Sequence, residues 1–86
     1  MPIISEFFGI KIQMFWDEHM LPHFHADYNG NKVMVDIQKG TVIKGAFPFK
    51  QLKLILAWCE IHREDLMKNW ELGMNEMSFI KIEPLR

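Results

Sequence analysis

The chain has 86 residues, 49% of them hydrophobic and 24% charged, with a formal net charge of −1. Such a length and balance predict one domain, 1–86, folded around one core, and exclude a disordered chain. The lone cysteine, Cys59, excludes an internal disulfide framework and a multi-cysteine zinc site. No apolar run has the length of a bilayer span or the pattern of a secretory leader, so the expected location is the cytoplasm, with no membrane partner.

Charge is uneven along the chain. Residues 1–31 sum to −3, residues 32–53 to +4, and the remainder to −2. The basic stretch carries Lys32, Lys39, Lys44, Lys50 and Lys53 against Asp36. A near-neutral total gives no global attraction to nucleic acid and leaves that partner open; the lysines read first as a solvated surface.

In chain order, "FFGIKIQMFW" (7–16) alternates Ile10, Ile12, Met14 and Trp16 against Lys11 and Gln13, the period of a half-buried strand. "HFHADY" and "KVMVDI" flank Asn29-Gly30, a strong hairpin signal because both central residues of a type I′ turn take positive φ. With those two residues as the loop, Tyr28 faces Asn31, Asp27 faces Lys32, Ala26 faces Val33, His25 faces Met34, Phe24 faces Val35 and His23 faces Asp36. Directly opposed residues share a face. Phe24, Ala26, Val33 and Val35 therefore form an apolar face, and His23, His25, Asp27, Lys32, Met34 and Asp36 a polar one. Met34, Ile43 and Phe15 add apolar groups to the histidine face, a mixture suited to a protein interface.

Lys39-Gly40 predicts a second turn into a short strand, "TVIK" (41–44). Beyond it, 49–72 contains no proline or glycine and predicts one long helix, straight or bent near 62–65, with Pro48 at its start and Gly73 at its stop. Phe49, Leu52, Ile55, Leu56 and Cys59 share an apolar stripe, with Trp58, Leu66 and Trp70 on its flank. "SFIKIEPL" reads as an extended tail, an edge strand closed by Pro84. The fold expected is α+β: an antiparallel sheet of three to five strands with one long helix on one face.

"PHFHADYNG" (22–30), Trp58, "HREDLMKNW" (62–70) and "IEPL" (82–85) together resemble the domain of unknown function 4160 family, across residues 14 to 85. Pro22, His23, His25, Tyr28, His62, Arg63, Asn69 and Trp70 are the matching positions. The resemblance implies a small bacterial, cytoplasmic protein without established chemistry. It also implies half of a two-gene unit, a suspected toxin–antitoxin module, whose partner is a small neighbouring gene product.

Three readings of the polar residues follow. In the first, the chain is a non-enzymatic partner-binding component of such a pair, docking a small protein or a second copy through the histidine face or an edge strand. In the second it is a histidine-dependent ribonuclease or hydrolase toxin. There His23 or His25 would be general acid or base, and Arg63 or a lysine would bind phosphate. In the third, His19, His23, His25 and Asp27 hold a divalent metal; otherwise no cofactor is expected. Against all site readings, His23 opposite Asp36 and Asp27 opposite Lys32 are also ordinary cross-strand pairs. His62 falls beside the buried stripe, on the far side of the sheet from His23 and His25.

Overall fold

Two tight turns set the sheet. Phe8 and Gly9 take φ of 50° and 77°, Asn29 and Gly30 φ of 50° and 85°, so each pair makes a primed hairpin turn whose twist matches its strands. The computed structural model describes residues 3–16 and 20–85. Its five strands are β1 (Ile3–Phe7), β2 (Ile10–Gln13), β3 (His23–Tyr28), β4 (Asn31–Asp36) and β5 (Thr41–Gly45). They form an antiparallel meander in chain order, followed by α1 (Phe49–Ile61) and α2 (Arg63–Met74).

The β3–β4 register is the one the Asn29-Gly30 turn predicts, residue for residue from His23↔Asp36 to Tyr28↔Asn31. Phe24, Ala26, Val33 and Val35 are buried accordingly, with Ile10, Ile12 and Met14 of the neighbouring segment. Trp58 of α1 sits on this face. Its ring centroid lies 5.6 Å from Phe24 and 5.3 Å from Phe7, and its indole N–H donates to the Glu83 carbonyl at 2.8 Å. The indole thus joins helix, sheet and tail; truncating a buried tryptophan to alanine costs ~3–5 kcal/mol.

Five expectations need correction, the last of them at Gly73. The first strand is not continuous over 7–16: the Phe8-Gly9 turn divides that region, and β1 lies ahead of it. The helix is two helices. His62, with φ −109° and ψ 22°, interrupts it, and Leu66 N–H donates to the His62 carbonyl as α2 begins. A straight helix over 49–74 would run ~39 Å, beyond the molecule's greatest extent of 34 Å. The break lets α1 bury Ile55, Trp58 and Cys59 while α2 buries Leu66, Asn69 and Trp70. Phe49 is not in the stripe but 72% exposed, with the Lys53 ammonium over its ring. The tail is not a strand. Ile82 N–H donates to the Ile4 carbonyl beside β1, while the Glu83 carbonyl is taken by Trp58.

Gly73 has a different task from the stop expected of it. It lies within α2, where a Cβ would stand 1.9 Å from the Trp16 indole. Trp16 is held there by its N–H to the Asn69 carbonyl and by Phe79, 6.1 Å away between ring centroids. Alanine in a helix is normally better than glycine by about 1 kcal/mol. Here the sign reverses: Gly73→Ala lowers stability by ~1–3 kcal/mol through overpacking, read as a lower urea midpoint. A raised midpoint would contradict the contact.

Candidate functional site

The face of the sheet turned away from α1 is built from two cross-strand rows. The first runs Glu6, Lys11, Asp27, Lys32 across β1 to β4, alternating in sign at every step. The second runs Ile3, Gln13, His25, Met34, Lys44 across all five strands. A register irregularity between Ile3 and Ser5 lets Ile4 and Ser5 both point inward, keeping Ile3 and Glu6 on the outer face. Glu6, Lys11, Lys32 and Lys44 are exposed; Gln13, His25, Asp27 and Met34 are half-buried.

His25 stands at the centre. Phe15 meets its ring edge-on at 4.5 Å between centroids, and His23 lies 5.1 Å away. A cleft of about 210 Å³ on one side is lined by Lys32, Met34, Lys44 and Gly45, and one of about 180 Å³ on the other by Gln13, Phe15 and Asp27. Burial, then the neighbouring His23, then the Lys44 ammonium push the His25 pKa below 6.5. Its imidazole is therefore neutral near pH 7, able to accept a proton or hydrogen bond.

His23 shares the parity of His25 but not its exposure. It is 2% exposed, with Nδ1–H donating to the Leu21 carbonyl at 2.9 Å and its ring 5.1 Å from Trp70 of α2. Trp70 thus reaches round the end of the sheet and covers it. The facing Asp36 is also buried, its Oδ1 accepting the Lys39 N–H at 3.0 Å. Although the two residues are opposite, each side chain has a partner elsewhere.

Arg63 is joined to this end of the sheet rather than to His25. Its Nε–H donates to the Ile37 carbonyl at 3.0 Å, and its guanidinium pairs with Glu60. Cys59 Sγ shares the Ile37 carbonyl at 3.8 Å; burial pushes this thiol's pKa up to about 11, so it is inert as a nucleophile. Asn69 is fully buried: its Oδ1 accepts the Ile80 N–H at 2.8 Å, and among the described residues its Nδ2 has no partner. His62 packs against Trp58 on the core side, 5.7 Å between centroids, with Asp65 at 3.8 Å. The cations beside His25 are instead Lys32 and Lys44. Pairing across the β4–β5 irregularity places Lys44 there; Ile43 is the unpaired residue of that bulge.

The metal candidate His19 lies outside the described residues. Among those described, no three histidine, cysteine, aspartate or glutamate groups gather to hold a metal. Asp27 lies between Lys11 and Lys32 in its row. No helix among the described residues is long and apolar enough to cross a membrane.

The physics of His25 gives a pH test. Its folded pKa lies below the unfolded value, so as pH falls through ~6.5 the unfolded chain takes up the proton first and stability is lost. His25→Gln removes that loss. Between about pH 7.5 and 5.5, the wild type therefore declines more than the variant in urea denaturation. Parallel declines would contradict the placement of His25.

No curated protein and no solved structure matches this chain. The family model for a domain of unknown function, DUF4160, matches residues 9–71, which takes in all of β2 to α1 and most of α2. The chain belongs to the DUF4160 family.

Proposed function

We propose that this protein is a non-enzymatic partner-binding component of a two-protein unit of the toxin–antitoxin kind, and that its docking site is the open edge of β5. The observation that carries this reading is the asymmetry of the sheet's two edges. At β1 the tail runs alongside, with Ile82 N–H on the Ile4 carbonyl. At β5 all five residues are exposed, Val42 and Ile43 among them at 38% and 39%. An unpaired edge offers backbone N–H and C=O groups to an added strand, and alternate side chains supply specificity. Lys44, Lys39, Lys50 and Lys53 are exposed near it in the chain, so the partner segment that fits is extended and acidic.

Lys44 and the bulge at Ile43 guard the edge against indiscriminate pairing. They leave it suited to an acidic strand. Co-expression with the neighbouring gene product should yield one co-eluting species in size exclusion, weakened at least tenfold by Lys44→Glu or Ile43→Pro. Ile43 pairs with no residue of β4, so proline there spares the ladder. Two separate peaks at micromolar concentration would count against the proposal.

One observation favours a second reading. A neutral imidazole at His25 between two clefts, with Lys32 and Lys44 beside it, is a base next to cations, an arrangement suited to a phosphate-bearing substrate. In that case His25 rather than His23 is the base, because His23 is enclosed and its Nδ1–H engaged. Growth arrest on expression that His25→Ala abolishes would support this reading; arrest unchanged by that substitution would remove it.

A further inference from the structure

The alternating row Glu6, Lys11, Asp27, Lys32 has a symmetry property that a random scatter of surface charge lacks. It contains four positions on four adjacent strands, and reversing its order turns every charge into its opposite. Consider a second copy laid face to face, related by a two-fold axis parallel to the strands and passing between β2 and β3. Glu6 then meets Lys32 of the other copy, and Lys11 meets Asp27. The second row obeys the same operation: Ile3 meets Met34, two apolar side chains, and Gln13 meets His25, an amide donor against a neutral imidazole. A two-fold axis perpendicular to the strands lacks this property, because it maps each strand onto its own copy. Along the first row it sets like charge over like, and between the rows it lays Glu6, Lys11, Asp27 and Lys32 over Ile3, Gln13, His25 and Met34.

We infer that the outer face of the sheet is a self-complementary dimer interface and that its occupant is a second copy of this chain. An isologous interface requires the same patch on both subunits to match itself under rotation, and both rows do. Aligned face-to-face packing is a normal mode for two sheets, with strands within ~30° and ~10 Å between layers. Phe15 and Met34, half-buried, supply apolar contact, while the charges set orientation and exclude other registers. The alternating row's compensated charge argues against a nucleic-acid occupant, since Lys11 and Lys32 are offset by Glu6 and Asp27. In this arrangement β1 lies over β4, β2 over β3, and β5 overhangs. Its edge stays free, so the dimer does not depend on the docking reading above and is tested with the purified chain alone.

The test is a charge exchange read by sedimentation equilibrium. The wild type should approach twice its 10.3 kDa mass as concentration rises, and high salt should weaken that association. Lys11→Glu places two carboxylates against each other across the axis, and Asp27→Lys places two ammonium groups there. Each variant alone should associate at least tenfold more weakly. Mixed together, they restore both contacts with opposite charges, and the heterodimer should form. That restoration also shows that both variants are folded. A wild type that stays monomeric at millimolar concentration would overturn the inference. So would a Lys11→Glu variant that dimerises like wild type, the result expected of edge-to-edge pairing through β5. A mixture that fails to associate would overturn it equally.

Discussion

The hairpin turn at Asn29-Gly30 is the constraint on which the rest of the molecule depends. Two residues at positive φ fix the pairing of β3 with β4, and with period-two alternation that pairing decides which side chains meet the helix and which do not. A slip of one position would turn one of the two strands over, burying either His25 and Asp27 in place of Phe24 and Ala26, or Lys32 and Met34 in place of Val33 and Val35. Burying those charges without partners is far costlier than any gain from the exposed apolar groups. Local backbone chemistry and global burial therefore select the same register. The two rows of the outer face follow from it.

At one end of the sheet the two-sided logic gives way. His23 has outward parity, yet α2 folds round and closes Trp70 over it. Several positions of the family pattern gather at this junction. The Pro22 carbonyl accepts the Ile37 N–H, the Ile37 carbonyl accepts Arg63, and Asn69 holds the tail through Ile80 and Trp16 through its carbonyl. Of the polar residues in "PHFH" and "HREDLMKNW", His23, Arg63 and Asn69 thus satisfy backbone groups where strand, helix and tail meet. Such groups must be paired somewhere once buried. His25 has a different setting, held on the outer face by Phe15 and bordered by Lys32 and Lys44.

What could be read from the sequence divides along the same line. The β3–β4 register, the two faces and the α+β class were legible because period two and one strong turn signal determine them locally. The family was legible too, in the motifs at 22–30 and 62–70. The interruption at His62 was less so: "IHRED" carries neither proline nor glycine, and the break is imposed by the sheet's end, a tertiary limit. Phe8-Gly9 reads as strand because phenylalanine rarely takes positive φ. The burial of His23 was hidden because it needs Trp70, distant in sequence. Gly73 looked like a stop signal, while its reason is the indole lying against it.

Nuclear Overhauser effects from the aromatic rings test the two-faced sheet most directly. The account predicts cross-peaks from the Phe24 ring to the Trp58 indole and from the His25 ring to Phe15, and His23 to Trp70 but not to Trp58. Cross-peaks from the His25 ring to Trp58 or His62 would place the imidazole beneath α1. That result would contradict the register, and with it both faces built on it.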